Sequence, residues 1–187
     1  MNWSEKSIAA ALSRQVFNHK YLVVVPNTSW TGNECDLLVV TENLRVIDVE
    51  IKISRSDLKA DAKKDKWFHN WDYRIDGPQA FGDQSARRTR EWPQKVWKHY
   101  YALPAEIWND SLLETLGSPK SGVLLLLRDE KGAIKVQVKR MAAPCREAER
   151  LSATQAVDIA RLASLRMWDA YEKAEKALAK QSMEVAA

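Results

Sequence analysis

Two neighbouring β-rich runs constrain the fold of this chain more than any other feature. Cys35-Asp36-Leu37-Leu38-Val39-Val40 is followed, after Thr41-Glu42-Asn43, by a second run over residues 44–54 that contains Val46-Ile47-Asp48-Val49-Glu50-Ile51-Lys52-Ile53-Ser54. So short a connection makes the two an antiparallel pair. Side chains alternate between the faces of a strand. Ile47, Val49, Ile51 and Ile53 therefore form one apolar face for helices to cover, while Val46, Asp48, Glu50, Lys52 and Ser54 form a strip of charge on the other. In the partner strand Glu34, Asp36, Leu38 and Val40 share a face, so a suitable register brings Asp36 opposite Glu50. Carboxylates in such apolar surroundings are costly unless something compensates them. A divalent cation with a phosphate substrate would do so.

The remainder of the chain reads as the frame around this pair. At 187 residues and 45 % apolar composition it suits one domain with its own core, residues 4–127 forming the centre and 128–187 an extension. Ser4 can cap a helix over 4–16, with Ile8, Leu12 and Val16 at helical spacing toward the core. A strand over 21–25 ends at Pro26, and a polar loop carries Trp30 and Gly32. A lysine-rich helix starts at 54–57, capped by Ser56 or Asp57, and runs to near Trp67; its polar sides make it peripheral, with Asp57 as cap and Asp61 on its surface. Residues 68–94 are irregular, broken by Gly77, Pro78, Gly82 and Pro93 and dotted with aromatics, which marks a functional loop. Further elements are a strand over 96–103, a helix over 105–116, a strand over 123–127 buried on both faces, a half-exposed hairpin strand with Ile134, Val136 and Val138, and a long helix from Ser152 to about Lys180. Val157, Ile159, Leu162, Leu165, Trp168, Tyr171 and Leu178 supply the apolar face of that helix, which can dock on a protein partner or a second copy of the chain.

Cys35 and Cys145 follow no metal-ligand spacing and read as reduced thiols, Cys35 as a small core residue. No signal-like segment opens the chain, and no apolar run is long enough to cross a bilayer, so no membrane role and a cytoplasmic setting are expected. The net charge of +4 is too small to argue for a nucleic-acid partner. The distribution says more. Lysines gather over 59–66 and arginines at 87, 88 and 90. Either cluster alone is an ordinary solvated face; beside an acidic site both gain weight as phosphate contacts.

Asp36, Glu50 and Lys52 have the types, spacing and facing that phosphodiester hydrolysis requires. Magnesium prefers oxygen ligands, lowers the pKa of a bound water and stabilises the leaving oxygen. Two carboxylates on adjacent strands and the carbonyl of Ile51 can hold it, and a lysine beside them can orient water and stabilise charge on phosphorus. Asp36 followed after a hairpin by Glu50-Ile51-Lys52 resembles the motif of the PD-(D/E)xK nuclease superfamily. The run Glu50-Ile51-Lys52-Ile53-Ser54-Arg55-Ser56-Asp57, with Asp61, Lys63, Lys64 and Lys66 after it, is similar to the small MmcB-like repair and phage group. Tyr100-Tyr101-Ala102-Leu103-Pro104 and Gly122-Val123-Leu124 sit where that group has a strand ending in proline and a later buried strand. The resemblance covers residues 4–127.

The resemblance implies an α/β, restriction-endonuclease-like α-β-β-β-α-β core, a mixed central sheet flanked by helices. The hairpin strand and the long C-terminal helix would be additions to it. It implies Asp36 and Glu50 as metal ligands for Mg²⁺, or Mn²⁺ in its place, with Lys52 catalytic. Glu5 in the first helix and Asp48 beside Glu50 are accessory acids. Arg55, Lys59, Lys63, Lys64, Lys66, Arg87, Arg88 and Arg90 are the expected DNA contacts. The proline that often precedes the aspartate is replaced by Glu34-Cys35. The expected activity is metal-dependent hydrolysis of DNA in repair, recombination or phage–host processing, in a bacterial or phage-infected cell. The alternative is a catalytically silent DNA-binding or inhibitory module on the same fold. His19, His69 and His99 are scattered and read as helix-surface or loop residues, with His69 near enough to the basic segment to touch phosphate. Trp71 and Trp92 read as packing anchors that can also stack on unpaired bases.

Overall fold

The computed structural model describes residues 3–18, 21–78, 81 and 86–186; His19 and Gly82 lie outside them. The elements run α1 (Glu5–Gln15), β1 (Tyr21–Thr28), β2 (Cys35–Thr41), β3 (Val46–Ile51), α2 (Arg55–Asp61), a 3-10 turn at Asp65–Trp67, α3 (Tyr73–Asp76), β4 (Lys98–Pro104), two 3-10 segments at Ala105–Ile107 and Asp110–Thr115, β5 (Gly122–Arg128), β6 (Ile134–Arg140) and α4 (Ala153–Ala186). The six strands form one mixed sheet in sequence order. β1, β2 and β3 are antiparallel neighbours, β3, β4 and β5 are parallel, and β6 returns antiparallel on β5. The fold is therefore a mixed α/β sheet with a long C-terminal helix.

Each face of the sheet is covered for a reason visible in its side chains. Ile8 and Leu12 of α1 pack on Leu37, Val39, Ile47, Val49 and Ile51, with Ala102, Leu124 and Leu126 beyond them. Ser4 holds α1 in a capping box with Ser7. The opposite face is covered in two places. Leu151 and Ile159 sit on Val25, Cys35, Leu38, Val40 and Val46. Leu58 and Trp67 sit on Tyr101, Leu103, Val123 and Leu125. Asp48 and Glu50 lie on this second face, between the two patches, so the expected charged strip is buried: all six residues of β3 are.

Several boundaries differ from the sequence expectation. β1 continues through Pro26 to Thr28, because β1 is the sheet's edge and a missing N–H there need not interrupt a ladder. Leu44 belongs to the turn, with φ of 56°, and β3 stops at Ile51, leaving Ile53 43 % exposed. Ser54 caps α2, accepting from the Asp57 N–H, rather than Ser56 or Asp57. The helix expected over 105–116 is two 3-10 segments. α2 is short, and the chain turns at Lys63 and Lys64 into the 3-10 turn that inserts Lys66 and Trp67 under the sheet. That turn, and not a longer lysine-rich helix, closes the polar strip. His99, expected on a helix surface or loop, is a fully buried residue of β4.

Gly117 makes room for this closure. A Cβ there would stand 2.1 Å from the Trp67 ring. Gly117→Ala is expected to destabilise the protein by about 1–3 kcal/mol, the usual cost of overpacking. Thermal unfolding and tryptophan emission check it, and an unchanged melting temperature would rule out Trp67 as a rigid cover.

Candidate active site

The sheet register lines up two rows of polar side chains. Asp48 stands between Leu38 and His99, and His99 lies next to Ser121 in the row given by Tyr100 and Gly122. One step toward the carboxyl end of β3, Glu50 pairs with Tyr101, and continuing the register from Leu37–Val49 places Asp36 on its other side. The Lys52 N–H donates to the Ala102 carbonyl, extending the ladder. The expected trio thus gathers where β2 begins and β3 ends, at the carboxyl end of the parallel strands.

Glu50 is 1 % exposed and faces three ammonium groups: Lys52 Nζ at 2.7 Å and Lys64 Nζ at 3.3 Å from Oε2, and Lys66 Nζ at 2.8 Å from Oε1. Asp61, placed on a helix surface by its sequence context, is completely buried. Its carboxylate lies 3.3 Å from Lys52, 3.1 Å from Lys64 and 3.3 Å from Lys66. It also accepts from the Tyr101 hydroxyl at 2.7 Å and Trp67 Nε1 at 3.2 Å. Asp57 stays at the edge, 3.9 Å from Lys52. Two carboxylates and three lysines thus form one network, open to solvent through Lys64, whose side chain is 49 % exposed. The sequence puts Asp61 on a helix surface and Lys66 among the DNA contacts because both follow the strand motif in a lysine-rich segment that reads as surface. The one sequence hint is Leu58, whose spacing to Asp61 puts both on the same side of α2.

The charges respond to these surroundings. Burial alone would raise the Glu50 and Asp61 carboxyls, but for Glu50 the Lys66 and Lys52 ammoniums outweigh it and hold the group below the usual carboxylate range. Lys66, Lys52 and the Tyr101 hydroxyl do the same for Asp61. Burial would lower Lys52, yet Glu50 and Asp61 raise it above its ordinary value. Asp36 behaves oppositely. Burial and then Glu50 push it up to about 6, against the Ile51 N–H that donates to its Oδ2 at 2.7 Å. Glu5, exposed at the start of α1, adds to that rise. Asp48 is raised to about 7, by burial first, with Lys66 opposing and Glu50 adding. Its Oδ1 finds no hydrogen-bond donor among the described residues. Burial holds His99 neutral; Nε2 faces Lys66 Nζ at 3.4 Å and Nδ1 the Ser121 hydroxyl at 3.0 Å.

No group of three or more His, Cys, Asp or Glu among the described residues is arranged to hold a metal. Asp36, Glu50 and the Ile51 carbonyl are oxygen donors of the type a hard cation takes, with the Glu50 carboxylate already paired to three lysines. Asp36, raised first by burial and then by the Glu50 carboxylate, gains from an added positive charge.

The expected DNA contacts divide. Lys66 is 4 % exposed and belongs to the network, which removes it as a phosphate contact. Arg55 donates to the Ile107 carbonyl. Arg87 donates to the His69 carbonyl and Asp65, Arg88 to Asp76, and Arg90 to the Phe68 carbonyl. Arg87, Arg88 and Arg90 fasten the 68–94 segment to itself, beside the Phe68–Thr89 bridge, and Arg87 ties it also to the 3-10 turn at Asp65. Lys59, Lys63 and Lys64 are exposed, and Lys64 stands at the mouth of the network. His69 lines a cleft of about 540 Å³ with Arg90, Trp92, Lys95 and Cys145, away from the trio. Cys35 is buried and neither cysteine is in a disulfide.

No family model matches the chain, and no curated protein does. Among solved structures it is similar to the SPO1766 protein of unknown function from Silicibacter pomeroyi. The identity is 17 %, 94 % of each chain is covered, and the TM-score is 0.55. That likeness supports the shared mixed α/β arrangement and bears on nothing chemical. No described helix is long and apolar enough to span a membrane.

Two outcomes follow from the network. Asp61→Asn leaves two buried ammoniums, Lys52 and Lys66, facing one fewer charge and is expected to cost about 3–5 kcal/mol; chemical denaturation reads it, and a loss under about 1 kcal/mol would refute the network's importance. Glu50 and Asp61, depressed in the fold, contribute stability that is fully present above the unfolded carboxylate range and is lost as pH falls below that range through their lower folded values. Asp36 and Asp48, raised to about 6 and about 7, favour the fold when protonated, and that contribution fades as pH rises through these values. Without divalent metal, the melting temperature is therefore expected to peak at mildly acidic pH. Asp48→Asn should reduce the fall toward neutral pH, and a profile that keeps rising to pH 8 would contradict this assignment.

Proposed function

We propose that this chain is a Mg²⁺-dependent nuclease of the PD-(D/E)xK type that hydrolyses phosphodiester bonds in DNA during repair, recombination or phage–host processing. The observation that carries the reading is the meeting of Asp36, Glu50 and Lys52 at the carboxyl end of β3, where α2 and its lysines begin. The α-β-β-β-α-β order of α1 through β4 agrees with the core implied by the sequence motif, allowing for the short α3. Asp36, Glu50 and the Ile51 carbonyl would hold the cation. Bound Mg²⁺, or Mn²⁺ in its place, polarises a phosphate oxygen and lowers the pKa of a water.

The protein's own groups take defined parts. Lys52 stays protonated, because Glu50 and Asp61 raise it, so it acts as a fixed cation and hydrogen-bond donor beside the scissile phosphate and as neither general acid nor general base. Asp61, fixed by Tyr101 and Trp67, holds the Lys52 ammonium in place. Lys64, half-exposed and anchored by two carboxylates, presents positive charge at the mouth. Lys59 and Lys63 extend it along the backbone path.

One observation favours the second reading, a silent DNA-binding or inhibitory module: the Glu50 carboxylate is already matched by Lys52, Lys64 and Lys66. That burial also makes Glu50 a poor test residue, since its neutralisation disturbs the fold. Asp36 is better. Its raised pKa means the neutral side chain suits the folded state, so Asp36→Asn is expected to keep or slightly raise the melting temperature while cutting DNA cleavage roughly 100-fold or more. The assay is a panel of single-stranded, duplex and branched DNA with and without Mg²⁺. Equal cleavage by parent and variant would sink the assignment. No cleavage by the parent, together with no Asp36-dependent heat of Mg²⁺ binding in calorimetry, would establish the silent module.

A further inference from the structure

The long helix α4 carries two apolar faces, and the body of the protein covers only one. Ala156, Ile159, Leu162 and Ala163 pack against the sheet at β1. Among the described residues the outermost hydrogen bond from α4 to the body runs from the Arg166 guanidinium to the Asn27 carbonyl at 3.1 Å. Every residue from 164 to 184 is exposed, a segment of about 30 Å at the rise of an α-helix. Charged side chains cover one side of it and Glu175 stands within the stripe, but large apolar side chains are exposed along the other side. Val157 is 66 %, Leu165 50 %, Trp168 63 %, Tyr171 59 %, Leu178 64 % and Met183 74 % exposed. Trp168 stands nine residues after the buried Ile159, about two and a half turns, so it points away from the body. Val157 already shows this outer face where the helix is still docked.

A free helical segment of this length is marginal in water, and an apolar stripe along it calls for a covering surface. The charges beside the stripe specify which. One flank reads Leu165, Asp169, Glu172, Lys176, Lys180 and Met183, at steps of three and four. Its first half is acidic and its second half basic. Reversed against itself about a point near residue 174, it sets, to within one residue of register, Leu165 beside Met183, Asp169 beside Lys180 and Glu172 beside Lys176, and brings Tyr171 toward Leu178. A parallel pairing would set acid on acid and base on base. Within one chain Lys176 bonds Glu172 at 2.6 Å, so these groups are already arrayed along the flank.

We infer that α4 is the dimerisation element of this protein, and that residues 164–184 pair antiparallel with the same segment of a second copy about a two-fold axis near residue 174. The contact is isologous, as closed dimers require. It leaves Asp36, Glu50 and Lys52 of each copy untouched, and its success or failure is independent of the nuclease reading.

Light scattering on the full chain tests the inference. The expected mass is twice 21.4 kDa at micromolar concentration. Trp168→Glu with Tyr171→Glu should weaken the dimer by roughly tenfold or more and leave the melting of the body unchanged, since neither side chain touches the core. Asp169→Lys with Glu172→Lys makes the flank wholly basic and should yield monomer. Adding Lys176→Glu and Lys180→Glu to the same chain should restore the dimer, as only an antiparallel self-pairing predicts. A monomeric parent at 100 µM would overturn the inference. So would a dimer indifferent to these variants, or one that the fourfold charge exchange fails to restore.

Discussion

The buried ion network around Asp61 is the interaction on which the rest of this structure depends. Lys52, Lys66, Glu50 and Asp61 share a low-dielectric space beneath Trp67, with Lys64 closing it on the solvent side, and each buried charge is tolerable only because the others are present. Remove one and an uncompensated charge remains under the sheet. This explains why α2 is short and why the chain bends into a 3-10 turn after it: that turn delivers Lys66 and Trp67 to the second face of the sheet. It explains also why that face has two apolar patches with a polar seam between them.

The seam links structure to chemistry. Within it the acids fall into two classes. Glu50 and Asp61 are held ionised by lysines, whereas Asp36 and Asp48 are pushed toward protonation by burial and by their acidic neighbours. Carboxylates with pKa values driven apart are what acid–base and metal chemistry use. The network also fixes Lys52 as a cation. The 68–94 segment contributes differently. Its arginines bind carbonyls and carboxylates of the same segment, so the clustering of charge reflects a loop holding its own shape.

Much of the frame was legible because local rules operate there without interference. Alternation in β3 located both faces, Ser4 and Ser152 marked the starts of α1 and α4, and the hairpin between β2 and β3 placed Asp36 opposite Glu50. Where the reading failed, tertiary context decided. Pro26 continues β1 because that strand is an edge. Asp61 and Lys66 sit in a segment whose composition is that of a surface, and His99 follows Lys98 in a strand whose burial comes from neighbours far away in sequence.

By itself, then, the sequence determined which residue types stand together at the end of β3, because the side-chain period of a strand and the length of a hairpin are local properties. It determined equally the charge order along α4, which is read directly from residue spacing on a helix. Only the tertiary structure decided that the charged face of β3 is sealed and that Asp61 and Lys66 complete it. It alone decided that half of α4 leaves the body. Burial is set by which distant segments cover a surface, and a surface lysine and a buried one differ in their partners, not in their local pattern.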